Sequence, residues 1–238
     1  RYLIELNSVK GTPDIKVITG IRRSGKSKLM EAFIEELKEN DSECNIIHIN
    51  FNLNEFIKQR KMTSLISYVN SKYVDGKRNY LLIDEVQRCK GFEDAINGFH
   101  AEEKYDIYIT GSNAFLMSND LATLFTGRTY EIEVFPFSFA EYLEYYGYTD
   151  RYSAFTKYMM EGGMAGSYVY EREDKKYKYI SDVYDTLILR DIVQKHKIKK
   201  PQMLQSVSDY MLDNIYNQMS SRNVSNEITK IYKYIFFS

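Results

Sequence analysis

Tryptophan is absent from the 238 residues, cysteine occurs only as Cys44 and Cys89, and no apolar run approaches the roughly 20 residues of a bilayer-spanning helix. The missing tryptophan excludes no function. Two isolated cysteines form neither a disulfide framework nor a metal-ligand spacing, and with no leader-like segment they point to a reducing, cytoplasmic setting. His48, His100 and His196 are equally scattered and offer no metal constellation. A formal net charge of −1 removes any overall electrostatic argument for a nucleic-acid or membrane partner, so such a partner must be met by a local patch. Repeats and low-complexity segments are also lacking. What remains is an ordinary globular composition, 44% hydrophobic and 27% charged, long enough for one large or two modest domains with a proper core.

What is present is concentrated in one stretch. An apolar, β-branched run, Ile15 to Thr19, gives way to Gly20-Ile21-Arg22-Arg23-Ser24-Gly25-Lys26-Ser27, which has the spacing G-x-x-x-x-G-K-S of a phosphate cradle. Gly20 and Gly25 let the backbone turn back and aim N–H groups inward, and a helix opening near Lys26 adds its positive end to the same anion site. Lys26 reaches the β- and γ-phosphates, Ser27 places its hydroxyl on Mg²⁺, and Ile21, Arg22, Arg23, Ser24 and Lys28 complete the nucleotide-binding segment. Arg22 and Arg23 stand at its variable positions, where they either flank the phosphates or, as is expected of at least one, face solvent. A helical pattern follows from Lys28 to Lys38, with Leu29, Met30, Phe33, Ile34 and Leu37 on one face.

Nucleotide hydrolysis further needs a carboxylate on the metal shell and a base for the attacking water. Tyr80-Leu81-Leu82-Ile83-Asp84-Glu85 supplies both at the end of a buried strand, with Asp84 on Mg²⁺ and Glu85 on the water in line with the γ-phosphate. The next strand runs into Thr110-Gly111-Ser112-Asn113, where Asn113 or Ser112 is the candidate to orient that water or read the γ-phosphate. Arg128, in Gly127-Arg128-Thr129, is the candidate arginine finger, acting in cis or in trans.

Between residues 15 and 134 short apolar runs alternate with helical patterns, the signature of an α/β fold with a parallel sheet covered on both faces. Five strands are predicted, IKVIT at 15, NIIHINF at 45, YLLID at 80, DIYIT at 106 and YEIEV at 130, with helices at about 63–74 and 92–103. Past Phe135-Pro136-Phe137 the pattern turns helical, at about 138–146, 152–161, 175–196 and 203–219, interrupted by Gly162, Gly163 and Gly166. The expected division is a nucleotide-binding core at 1–147, a helical segment at 148–200, and the start of a winged-helix domain at 201–238. In the last of these Ser225 reads as the N-cap of a new helix in helix-turn-helix spacing. A first residue that is not methionine and an apolar Ile-Phe-Phe ending mark the expected piece of a longer chain.

Taken together, Val17 to Ser27, Leu82-Ile83-Asp84-Glu85-Val86-Gln87, Ile109 to Asn113, Thr126-Gly127-Arg128, Phe135-Pro136-Phe137-Ser138-Phe139-Ala140-Glu141-Tyr142 and Arg190-Asp191-Ile192 resemble the bacterial and archaeal P-loop ATPases of AAA+ type that carry a winged helix and an uncharacterised C-terminal domain. The resemblance implies a five-stranded core in the order 5-1-4-3-2, then a helical segment and a winged helix. It implies that Lys26, Ser27, Asp84 and Glu85 carry ATP and Mg²⁺ chemistry, that Asn113 or Ser112 is a sensor, and that Arg128 is a finger. One departure is Gly162-Gly163-Met164-Ala165, where many members have proline in place of Ala165, so a looser turn is expected there.

The expected ligands are ATP and Mg²⁺. Lys195, Lys197, Lys199 and Lys200 form a local basic cluster beside the expected winged helix, which fits either a DNA phosphate edge or a solvated helix end. DNA or protein is therefore the expected partner through that region, a membrane is not, and a homo-oligomer is compatible with the AAA+ type. Two functions remain: an ATP-hydrolysing enzyme that drives an attached module, or a nucleotide-gated switch with little turnover. Glu85 favours the first, because a switch can dispense with a strong base.

Overall fold

A computed structural model describes residues 1–111, 125, 127–187, 192–193 and 197–237. Two compact units emerge, Arg1–Tyr179 and Ile180–Ser238.

The first unit is built on five strands: β1 (Ile15–Thr19), β2 (Asn45–Asn50), β3 (Asn79–Asp84), β4 (Tyr105–Thr110) and β5 (Thr129–Glu133). All neighbours pair in parallel, in the order β2-β3-β4-β1-β5, which is the order that the resemblance implies. Every residue of β1 and β3 is buried, whereas the edge strand β5 buries only Ile132 fully. That difference is why the central strands read as mainly apolar runs, each covered on both faces.

Side-chain alternation divides the core into two layers. Ile15, Val17, Leu81, Ile83, Ile107 and Ile109 pack with Leu65, Val69, Ile96 and Phe99 from α3 (Met62–Lys72) and α4 (Phe92–Ala101). On the opposite face Ile18, Tyr80, Leu82 and Tyr108 meet Met30, Phe33, Ile34 and Leu37 of α2 (Lys26–Asn40). Those four apolar residues of α2 are the predicted stripe, and Leu29 is partly buried beside them. Leu6 of a further short helix, α1 (Tyr2–Ser8), joins the same layer. No sequence pattern announces α1, since it buries one residue of its own and lacks a side-chain cap, and Asn7 instead anchors it by donating to Glu36 Oε1 at 2.8 Å.

Beyond β5 the helices α5 (Phe139–Tyr146) and α6 (Arg151–Glu161) start where local chemistry starts them. Ser138 and Glu141 form a reciprocal capping box, and the Asp150 carboxylate accepts from the Tyr152 and Ser153 N–H groups. A tyrosine core holds this part together: the rings of Tyr146, Tyr148, Tyr158 and Tyr168 lie 4.8–5.9 Å from the fully buried Tyr142. Tyr142 donates to Glu161, which also receives Lys176 Nζ at 2.6 Å from α7 (Glu173–Asp185). Much of the chain's abundant tyrosine thus serves packing. Ala165 begins a single 3₁₀ turn, Ala165–Ser167, and Gly163 just before it approaches Phe137 so closely that a Cβ would collide with the Phe137 carbonyl oxygen.

In the second unit α8 (Pro201–Asp213) and α9 (Ser221–Phe237) correct two expected boundaries. The first ends before the predicted 219 because the Asn214 side chain turns back to the Tyr210 carbonyl. The second begins before Ser225 because Ser220 takes the capping role, its hydroxyl accepting from Asn223 N and its carbonyl from Val224 N. The described residues of this unit carry no strand. Arg190, Asp191, Lys195, His196 and most of the predicted continuation of α7 lie outside the described residues.

Candidate functional site

Parallel register gathers the strand ends along one edge of the sheet: Asn50 pairs with Asp84, Ile83 with Ile109, and Ile18 with Thr110. Loops leaving these carboxyl ends form the crevice where ligands of open α/β sheets bind. The segment from Gly20 to Ser27 leaves β1 there and enters α2, whose first residue is Lys26. Gly25 is the N-cap at φ 106°, and no side chain caps this end of α2, an arrangement that offers first-turn N–H groups to an anion.

Gly20 is required for space as well as conformation. At φ 138° a Cβ there would collide with the Val134 carbonyl oxygen and lie 2.9 Å from Ser24 Oγ. Ser24 is buried, and its Oγ has no hydrogen-bond partner among the described residues, leaving a polar atom in the cradle. Lys26, 6% exposed, folds back so that Nζ donates to the carbonyls of Gly20 at 2.8 Å and Ile21 at 2.9 Å. Ser27 and Ile21 are half-buried, Lys28 is exposed and pairs with Glu31 one turn on, and Arg23, at φ 63°, lays its guanidinium 4.8 Å over the Tyr179 ring. Gly20→Ala should weaken nucleotide binding about tenfold or more and lower stability by about 1–3 kcal/mol, read by nucleotide titration and thermal melting.

Asp84 and Glu85 stand at the end of β3, beside Thr110 at the end of β4. Thr110 Oγ1 donates to Asp84 Oδ1 and accepts from Glu85 N at 3.0 Å, so one buried hydroxyl fixes both acidic residues. Glu85 is left-handed at φ 58°, ψ 48°, a sparsely populated conformation for a residue with a Cβ. Its Oε2 accepts from Gln87 Nε2 at 2.6 Å, while Gln87 Oε1 is buried with no partner among the described residues. Sequence reasoning assigned roles to neither Thr110 nor Gln87, although both lie in stretches it singled out.

Two other candidates fall differently. Ser112 and Asn113 lie outside the described residues. Arg128 is exposed and precedes β5, whose first residue pairs with Ile15 at the start of β1. At about 3.3 Å per residue the length of β1 separates it from the phosphate loop by roughly 16 Å. Parallel strands thus put Arg128 on the amino edge of the sheet, away from the phosphate loop of its own chain.

A family model described as an AAA domain matches residues 12–143, and a second, for a domain of unknown function, matches residues 152–234. The chain belongs to the AAA domain family. Among curated relatives of this AAA protein, an uncharacterized protein of Haemophilus influenzae is 33% identical over 237 residues, covering 96% of this chain and 58% of that one. One of Methanocaldococcus jannaschii is 26% identical over 225 residues, covering 89% and 49%. The chain thus spans about half the length of the curated relatives it matches. A solved structure of domain III of the replication initiation protein DnaA from Thermotoga maritima is 17% identical, covers 84% of this chain and 90% of that chain, and superposes with a TM-score of 0.48. No helix among the described residues is long and apolar enough to cross a membrane, and none of their side chains form a His, Cys, Asp and Glu cluster of metal-binding size.

Proposed function

We propose that this AAA domain binds ATP with Mg²⁺ at the edge formed by β1, β3 and β4 and hydrolyses it, using the cycle to move an attached module. The observation that carries the reading is the Thr110 hydroxyl, which locks Asp84 and a strained Glu85 into fixed places beside the phosphate loop. In this reading Lys26 moves from its loop carbonyls to the β- and γ-phosphates, and N–H groups from Gly20 to Lys28 surround them. The cradle fits such an anion, because Gly20 keeps it open and Ser24 Oγ lacks a partner within the described residues. Ser27 and Asp84 supply the hard oxygen donors suited to Mg²⁺, whose charge, when bound, offsets that developing on the phosphates. Glu85 takes the proton of the attacking water.

Asn113 or Ser112 would sense the γ-phosphate. Arg128 would act in trans, which calls for a homo-oligomer. We assign the core to 1–147, the helical segment to 148–200 and a winged helix to 201–238, with DNA or protein as its partner and the cytoplasm as its setting. The hydrogen bond from Gln87 to Glu85 favours one second reading, a nucleotide-gated switch in which the base is held away from water and turnover is slow.

Steady-state ATP hydrolysis with Mg²⁺, with and without duplex DNA, tests both readings. Turnover is expected, with Lys26→Ala reducing it by at least about tenfold through lost phosphate contacts. Tight ATP binding with negligible turnover in every condition would replace the enzyme with the switch.

A further inference from the structure

We propose that the surface made by the connections after β2 and β3 binds the sugar-phosphate backbone of a nucleic acid. The expected basic patch lay near residues 195–200; this one lies on the AAA core. Lys58, Arg60 and Lys61 come from the first connection, Arg88 and Lys90 from the second. A parallel bridge between Lys61 and Lys90 ties the two segments together, with Lys90 N donating to the Arg60 carbonyl at 3.0 Å and Met62 N to the Lys90 carbonyl at 3.1 Å. The two segments that carry the five cations are therefore tied together by backbone hydrogen bonds.

Their partners are unusual for cations. Arg60 Nη2 and Arg88 Nη1 both donate to the Phe51 carbonyl, at 2.6 and 3.0 Å, so two guanidiniums converge on one neutral oxygen. Arg60 Nε is buried with no partner among the described residues. None of the five forms an ion pair within the described residues, whereas Lys16, Lys28, Lys77, Lys104 and Lys176 all do. Glu55, Asp84, Glu85, Glu93 and Asp94 are the acids nearest in sequence, and none of them forms a salt bridge with the cluster within the described residues. Holding like charges together without acids opposes folding in the free protein and is relieved by a polyanion.

The ground beside the patch suits a nucleic-acid backbone better than an acidic peptide. An open groove of about 450 Å³ runs along α3, lined by Gln59, Thr63, Ser64, Ser67 and Tyr68. Its hydroxyls and amide are the uncharged groups that commonly contact phosphate and sugar oxygens. Tyr68 is engaged edge-on by Phe56 and lies under Lys72, so its ring is no open stacking platform. Recognition is thus of the backbone and independent of base sequence.

The test is fluorescence anisotropy with a labelled 25-nucleotide DNA strand, its RNA equivalent and the DNA duplex, without ATP, between 50 and 200 mM KCl. The variant is Lys58→Ser/Lys61→Ser/Lys90→Ser, three exposed lysines, leaving intact the arginines that hold Phe51. Wild-type protein should bind at least one of the three probes. The triple variant, with an unchanged melting temperature, should bind about tenfold or more weakly, and its slope of log affinity against log salt should be about 2–3 units shallower. Lys38→Ser/Lys104→Ser/Lys157→Ser, three exposed lysines outside the patch, should leave that affinity unchanged. Absence of wild-type binding at 50 mM KCl, or an unchanged triple variant, overturns the proposal. Equal competition by polyglutamate at matched charge overturns it in favour of an acidic protein partner.

Discussion

Glu85→Gln should lower ATP turnover by about 10²- to 10⁴-fold, the usual contribution of a positioned general base, while leaving ATP bound. That corresponds to about 3–5 kcal/mol of barrier. Glutamine keeps the size of the side chain and an oxygen that can still accept from Gln87, but it cannot take a proton from water. The backbone should not relax, because Thr110 Oγ1 holds the residue-85 N–H and the Asp84 carboxylate whatever side chain stands at 85. Loss of turnover without loss of binding, measured by phosphate release beside nucleotide titration, is thus the signature expected of the base. Wild-type turnover in Glu85→Gln would remove Glu85 from the chemistry and leave its left-handed backbone without a functional explanation. Asp84→Asn is the contrasting control. It should weaken Mg²⁺-dependent nucleotide binding itself, since a hard carboxylate donor is lost.

The parts of this site that were legible in the sequence are those whose chemistry is local. Gly20, Gly25, Lys26 and Ser27 satisfy the steric and electrostatic demands of one short loop, so their spacing alone announces them. Asp84 and Glu85 follow because a fully buried strand ends on two acids. Thr110 and Gln87 were not legible as site residues. Thr110 matters only because the β3–β4 register sets it beside Asp84, and Gln87 only because the chain curls into a 3₁₀ turn at Glu85. Register is a non-local property that no window of sequence carries. Arg128 could have been placed better: once β5 is taken as parallel to β1, a residue just before it must sit at the edge away from the phosphate loop. The strands themselves were easy because central parallel strands bury both faces. The first helix was hard because tertiary contacts make it.

Lys16→Met should cost about 3–5 kcal/mol of folding stability, the usual result of stranding one partner of a buried ion pair. Lys16 interrupts the apolar run of β1 yet is 0% exposed. Its Nζ donates to Asp106 Oδ1 at 2.6 Å and to the Thr12 carbonyl at 2.5 Å, and stands 5.4 Å over the Tyr108 ring. The Asp106 side chain, 6% exposed, also accepts from Gly11 N at 2.8 Å and the Tyr108 hydroxyl at 3.2 Å. Burial first, and the Asp106 charge second, hold the Tyr108 phenol far above its usual range, so it remains a donor across the working pH. Methionine fills the volume of the lysine stem and leaves Asp106 charged among neutral donors only. Against a typical total of about 5–15 kcal/mol the loss is severe, a fall in melting temperature of about 6–20 °C for a domain of this size. Lys16→Met/Asp106→Asn should recover part of it, because asparagine keeps an acceptor for Gly11 N or the Tyr108 hydroxyl without the unpaired charge. Urea denaturation of the wild type, both single variants and the double variant closes the cycle. A double variant no more stable than Lys16→Met would show that shape at the amino edge of the sheet, and not charge pairing, accounts for the buried lysine.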